Sequence, residues 1–303
     1  MEERAMRRAR LTVAWVGFYH VVSRINGRRF LLDDEEKRIL LGTVRAAAEF
    51  SGVEVNVYTL MDNHFHLLVR VPPKGEVADA ELARRIRALY GPERSAKLFA
   101  LWEKWESKGH GERVAAAKKR LLSRMNDLSQ FCKTFKETYT QGYNERTGNT
   151  GTIWEGRFKS VLLEGDYRTL MTVAGYIHLN PVRAGMVEEA SAAANTSYGA
   201  ACAGDAMARR GLVSLLAHVT GNSATDWIAA RTACEEAVEG ALARDDAAMP
   251  EARIPVKEDE SGGNEVATVQ KTPTVPDLLR KRCAGFLQGG ALGGAAFMAR
   301  LAA

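Results

Sequence analysis

Apolar and polar positions change their period several times along this chain, and each change marks an element. Residues 12–23, TVAWVGFYHVVS, are rich in β-branched and aromatic side chains and read as a strand, closed by the Asn-Gly turn of INGRR. Asp33, with Glu36 three residues on, forms a capping-box-like start to a helix along which Leu40, Val44 and Ala47 recur at helical spacing. In VEVNVYTL, Val53, Val55 and Val57 alternate with Glu54, Asn56 and Tyr58, the period of a half-buried strand; after MDN, a third run, HFHLLVRV, stops at Pro72-Pro73. Residues 79–120 are helical in character but charged, and broken at Gly91-Pro92 and between Gly109 and Gly111, so they read as an insertion. From 121 to 140, Leu121, Met125, Leu128, Cys132, Phe135 and Tyr139 step by four and three, which predicts an amphipathic helix. TIWEGRFKSVLLE then reads as a fourth strand, and a last core helix opens near Asp166, turns Leu170, Val173 and Ile177 inward, and ends at Pro181.

The resulting order, β-α-β-β-α-β-α, predicts an α+β fold: an antiparallel sheet of about four to five strands with helices on one face. Residues 1–200 form that domain with the insertion at 79–120. Residues 201–250 read as a helical extension, 251–275 as a polar, Gly/Pro-bearing flexible linker, and 276–303 as a short terminal segment. Hydrophobic residues make up 46% and charged residues 26%, ordinary soluble composition, and no apolar run approaches the ~20 residues of a membrane span. The start, MEERAMRRARL, has no apolar segment of a secretory signal, so the expected location is the cytoplasm, away from membranes. Cys132, Cys202, Cys234 and Cys283 form no CxxC pair, which argues for reduced thiols over a disulfide framework or thiolate zinc site. Lys and Arg outnumber Asp and Glu by 31 to 24 over residues 1–190 but not beyond, 11 to 13, so the basic excess is N-terminal and fits a polyanionic partner.

Two local patterns carry candidate chemistry. His64-Phe65-His66 lies in a strand, where period two sends both imidazoles to one face and Phe65 to the other. Such a pair can clamp a metal ion; it also fits two surface or hydrogen-bonding histidines. Tyr176 and Asn180, four residues apart, share one face of the last helix, while His178 points nearly the opposite way. Tyr176 also fits a half-buried core aromatic, and Asn180 before Pro181 fits an N-cap for a short following helix. Taken together the patterns give two imidazoles and a carboxamide around a divalent ion, with a phenol one helical turn away. A neutral ligand set leaves the ion its full charge to polarise a phosphate and favour the phenolate of a tyrosine whose reference pKa is about 10. Attack by that tyrosine stores the phosphodiester energy in a covalent phosphotyrosine and keeps the break reversible.

MDN before His64-Phe65-His66, then YNERTGNTGTIWEGRFKS, then YIHLNPVRAGMV resemble, in order and spacing, the single-tyrosine HUH transposases, especially the REP-associated tyrosine transposases, over about residues 12–200. The resemblance implies Mg²⁺ or Mn²⁺ held by His64 and His66 with Asn180 as third ligand. It further implies Tyr176 as the nucleophile that forms a 5′-phosphotyrosine with single-stranded DNA next to a hairpin, such as a repetitive extragenic palindrome or an element end. Asp62 replaces the proline frequent before Asn-His, and His178 stands where many relatives carry an acid. Binding single-stranded or hairpin DNA would draw on Arg7, Arg8, Arg10, Arg24, Arg28 and Arg29, on Lys118, Lys119 and Arg120, and on Trp154, Arg157 and Lys159, which interleave aromatic and cationic groups; the basic sets equally fit a solvated face, and Trp154 equally fits a core residue of the fourth strand. Since moving a segment takes two cleavages and each chain offers one such tyrosine, a homodimer or sequential use of one site follows. A hairpin-binding regulator without cleavage, a relaxase or replication initiator of the HUH group, and a metal hydrolase using water are the competing readings.

Overall fold

The computed structural model describes residues 11–246, 290–293 and 295–302. Five strands form one sheet: β1 (Gly17–Arg24), β2 (Glu54–Leu60), β3 (His64–Val71), β4 (Lys159–Leu163) and β5 (Gly290–Leu292), in the spatial order β2-β3-β1-β4-β5. All pairings are antiparallel except the last, β4 with β5. β1 and β3 are buried along nearly their whole length because both their faces are covered.

The two helices expected within the first βαββαβ unit, α1 (Asp34–Ser51) and α4 (Leu128–Thr147), do lie on one face, where Phe65 of β3 meets Phe135 of α4 and Trp154. Glu36 of α1 ties them, accepting from the Tyr139 hydroxyl at 2.7 Å and from Arg146. The opposite face is not bare, as helices on one face alone would leave it. It is covered by α5 (Tyr167–His178) and α8 (Ala206–Thr220), with α9 (Trp227–Asp246) packed behind them: Ile177 of α5 accepts a 2.6 Å hydrogen bond from Thr59 of β2, and Phe18 of β1 packs on His218 of α8. The physical reason is in the strands, since Phe18, His20, His66 and Leu68 on that face are as buried as Val21, Phe65 and Leu67 on the other.

Local chemistry accounts for the element ends. Asp33, Asp127, Asp166 and Asp205 each accept a backbone N–H from the residue three further on and so begin α1, α4, α5 and α8. Residues 79–122 form α2 (Asp79–Ser107), kinked at Gly91-Pro92, and α3 (Gly111–Leu122); they build a separate small core of Leu82, Ile86, Trp102 and Val114 with Phe50 and Met125. Leu121 therefore belongs to α3 and not to the helix expected over 121–140, the chain turning at Asn126, whose φ is +49°. The fourth strand is shorter than TIWEGRFKSVLLE suggests: only Lys159–Leu163 pairs continuously, and Trp154 makes an isolated bridge to Ile25. Two short helices, α6 (Asn180–Arg183) and α7 (Ser197–Cys202), follow α5, and α10 (Ala295–Ala302) follows β5. The expected linker at 251–275 lies outside the described residues, as do Arg7, Arg8, Arg10 and Cys283. Among the described residues no helix is long and apolar enough to cross a membrane.

Candidate functional site: an imidazole pair facing a tyrosine

The antiparallel register of β1 and β3 sets Val22 opposite His66 and Arg24 opposite His64, and β4 brings Lys159 opposite Val22. These side chains share the sheet face that α5 crosses. Beyond the last turns of α5 a cavity of about 360 Å³ opens, lined by His64, His66, Tyr176, Asn180, Arg24 and Lys159 among others. The ring centres of His64 and His66 are 5.1 Å apart, and the Tyr176 ring stands edge-on to His66 at 5.9 Å. The phenol and both imidazoles that the sequence singles out therefore converge on one space.

Hydrogen bonds leave a defined set of donor atoms open. Asn63 donates its Nδ2–H to the Arg28 carbonyl, so its Oδ1 accepts from His64 Nδ1 at 2.7 Å. His66 Nδ1 is hydrogen-bonded at 2.9 Å to Nε2 of His20, a buried histidine of β1 stacked on it. Asn180 donates Nδ2–H to the carbonyls of Tyr176 and Ile177. It closes the end of α5 and does not cap the helix after it, whose N-cap is Leu179 without a side-chain bond. These bonds use neither the Nε2 of either imidazole nor the Oδ1 of the carboxamide, three neutral donors of the kind that holds a divalent ion, on residues that all line the cavity. Among the described residues no three His, Cys, Asp or Glu side chains are grouped so as to hold a metal ion.

Burial keeps these imidazoles uncharged. It pushes His64 down to about 4, with the Arg24 charge adding to the effect, and drives His66 well below its usual value, assisted by His20, His64, Arg24 and Arg183. Neutral imidazole is the form that binds metals.

Residues 14–90 match the family model described as "Transposase IS200 like". Over that span the chain is similar to the IS200-like transposases. The span includes all three histidines that line the cavity, His20, His64 and His66, and stops short of α5. Among solved structures, the REP-associated tyrosine transposase bound to a REP hairpin covers 67% of this chain and 87% of its own at 15% identity, with a TM-score of 0.42. A candidate transposase from Deinococcus radiodurans R1 covers 35% of this chain and 76% of its own at 24% identity, with a TM-score of 0.19. No curated protein matches the chain.

Within the IS200-like span lie several residues that local pattern does not reveal. His20 sits in an apolar strand run and joins the site only through the β1–β3 register. Asp62, in the place where the resemblance expects proline, forms a 2.6 Å ion pair with the buried Lys37 of α1 and so pins the turn before His64. Outside the span, Lys136 of α4 is buried behind the cavity wall, donating to Ser23 Oγ and the Gly156 carbonyl, and burial lowers its pKa to about 8. Arg183 places its guanidinium 5.0 Å from the Tyr176 ring centre. Glu155 brings a carboxylate to the lining.

The other expected DNA contacts divide. Arg24, Arg157 and Lys159 line the cavity, and Arg28 and Arg29 are exposed on the neighbouring loop. Lys118, Lys119 and Arg120 lie on α3, with Lys118 paired to Asp79, and none of them lines the cavity. Trp154 is corrected: only 5% exposed, it packs on Phe65 and Tyr139, carries the Lys136 ammonium over its ring and donates Nε1–H to Thr140, so its faces are occupied. His178, read as facing away, is buried and hydrogen-bonded to Ser197 Oγ at 2.9 Å.

Burial of neutral histidines has a measurable cost on acidification. His20 and His178 are each pushed down to about 3, whereas in the unfolded chain they titrate near 6.5. Between those values the unfolded state binds the extra protons, so stability present above pH 6.5 is lost as pH falls, each residue contributing up to about 1.4 kcal/mol per pH unit. Urea unfolding at pH 7.5 and pH 5.0 should show a clear loss of stability at the lower value; equal midpoints would contradict the buried, neutral assignment.

Proposed function

We propose that the chain is a metal-dependent single-strand DNA endonuclease and strand transferase that acts beside DNA hairpins, with Tyr176 as nucleophile. The observation that carries this reading is the shared cavity, in which the Tyr176 ring lies 5.9 Å from His66 and which His64, His66 and Asn180 line together. The Tyr176 oxygen attacks a phosphodiester, a phosphorus–oxygen bond forms to the 5′ side of the break, the bond to the 3′ oxygen is cleaved, and the phenolic proton ends on the departing 3′ hydroxyl. The reverse reaction, with a 3′ hydroxyl attacking the phosphotyrosine, rejoins strands without another energy source.

Mg²⁺ or Mn²⁺ on the His64, His66 and Asn180 donors would supply Lewis-acid polarisation of the phosphate. The chain's own residues do the rest. In the arrangement where His66 donates Nδ1–H to His20 and His64 donates Nδ1–H to Asn63, both Nε2 lone pairs are directed outward and held in place. Arg24, Arg157 and Lys159 provide phosphate-binding charge around the cavity, and the guanidinium of Arg183 steadies the Tyr176 ring.

Removing the metal tests this reading. A single strand carrying a hairpin and unpaired flanks, incubated with chelator-treated protein, should remain intact, and Mg²⁺ or Mn²⁺ should restore nicking together with a protein–DNA adduct stable to denaturant. Nicking that persists in chelator would overturn the metal's role; metal-dependent hydrolysis with no adduct would make the chain a hydrolase; hairpin binding without any cleavage would make it a binding protein.

A further inference from the structure

The loop after β1 presents a large aromatic side chain to solvent. Phe30 is 78% exposed, the most exposed large apolar residue among those described. Such a side chain costs free energy in water, and here it sits on a segment built to hold still. The Ile25 amide donates to the Asn63 carbonyl at 2.9 Å, Asn63 Nδ2–H donates to the Arg28 carbonyl at 3.2 Å, and the Leu32 amide donates to the Asp62 carbonyl at 2.9 Å. Leu32 is fully buried and anchors the far end. Gly27 and Arg28 both have positive φ, +66° and +54°, and for arginine that conformation is strained, a cost that persists only where surroundings impose it.

All three tethers lead to Asp62 and Asn63, the two residues that immediately precede His64. Phe30 is two residues from the tethered Arg28 and two from Leu32, so its Cα lies within roughly 7 Å of each. Arg28 and Arg29 are exposed beside it and Arg24 lines the cavity; of the nearby acids, Asp62 and Asp34 pair with Lys37, Glu35 with Arg38 and Glu36 with Arg146, while Asp33 caps α1. A rigid aromatic face beside two arginines, on a loop tethered to the residues that precede the cavity-lining His64, fits an unpaired base, because base–aromatic stacking works with any base and the arginines hold the flanking backbone.

We propose that Phe30 is a stacking platform for an unpaired base of the single strand flanking the one bound at Tyr176. The inference rests on the DNA reading above and adds the side chain that orders the strand as it leaves the cavity. Because Phe30 buries almost nothing in the folded chain, its replacement leaves the fold intact.

The test uses the full chain and single-stranded oligonucleotides that carry a hairpin, unpaired flanks and a 2-aminopurine at successive flank positions. Wild-type protein should quench 2-aminopurine at one position. Phe30→Ala should lose that quenching and bind on the order of tenfold more weakly, with the salt dependence unchanged because no phosphate contact is removed. Phe30→Trp should restore both, and Ile228→Ala, at an exposed apolar residue elsewhere, should change neither. Binding and quenching by Phe30→Ala within twofold of wild type would overturn the platform while leaving the DNA reading in place. A wild-type protein that binds no single strand would remove the DNA reading and the platform with it, and a Phe30→Ala protein whose sedimentation changes from dimer to monomer would instead make Phe30 a contact between copies of this chain.

Discussion

Tyr176→Phe is expected to yield no covalent protein–DNA adduct and to lower strand cleavage by at least about a thousandfold, while hairpin affinity stays within a few-fold of wild type. The substitution removes one oxygen and leaves the ring, so the edge-on contact to His66 and the guanidinium of Arg183 over the ring are retained. Cleavage therefore falls for want of a nucleophile. A denaturing gel with labelled oligonucleotide reads the adduct, and anisotropy reads binding. Adduct formation at an undiminished level would move the nucleophile elsewhere.

Gly175→Ala should be the most damaging small substitution in the helix that carries Tyr176. A methyl group at Gly175 would lie 2.2 Å from the carbonyl oxygen of Ala237 and 2.7 Å from its carbon, backbone atoms of α9 that cannot swing aside. α5 and α9 must separate, at a cost of about 3 kcal/mol for an overpacked contact, which corresponds to a fall in melting temperature on the order of 6–12 °C for a domain of this size. Thermal melts of the two proteins decide the matter, and a change under 2 °C would show that the two helices do not approach as described. Because the neighbour of Gly175 is Tyr176, the same variant should also make less adduct even when assayed well below its melting point.

That contact assigns work to part of the chain whose sequence says little. Residues 201–250 read only as a helical extension, yet α8 packs on the sheet face on which the cavity opens and α9 supports α5 from behind. Their role is invisible in sequence because helix–helix approach depends on where a glycine on one element meets a backbone on another, and no local period records it. The same limit explains His20. A lone histidine in the run FYHVVS looks like a strand residue and no more; it becomes a partner of His66 only when β1 and β3 align Val22 with His66. Lys136 likewise looks like one cation on the polar face of an amphipathic helix, and its burial against Ser23 and Gly156 arises from long-range packing.

What the sequence does disclose is local and periodic. β3 begins and ends where HFHLLVRV does, because alternation and the following prolines bound it on both sides. Period two puts His64 and His66 together, and period 3.6 puts Tyr176 and Asn180 together. Asn180 nevertheless closes α5 and not the start of the next helix, since the polypeptide turns tightly enough at Leu179 for its amide to reach back to Tyr176. Trp154 misleads for a complementary reason: WEGRFK interleaves aromatic and cationic residues as a base-stacking surface would, but Gly156 breaks the strand and the indole turns into the core between Phe65 and Tyr139.

The central claim is that Tyr176 becomes joined to the 5′ phosphate of the cleaved strand, and peptide mapping of the trapped adduct tests it most directly. Trypsin cuts after Arg168 and Arg183, so the peptide from Thr169 to Arg183 contains Tyr176 as its sole tyrosine. After nuclease trimming, mass spectrometry should find a nucleotide on this peptide, fragmenting to Tyr176. A nucleotide on any other residue, or cleaved DNA bearing a free 5′ phosphate with every tyrosine unmodified, would contradict the account.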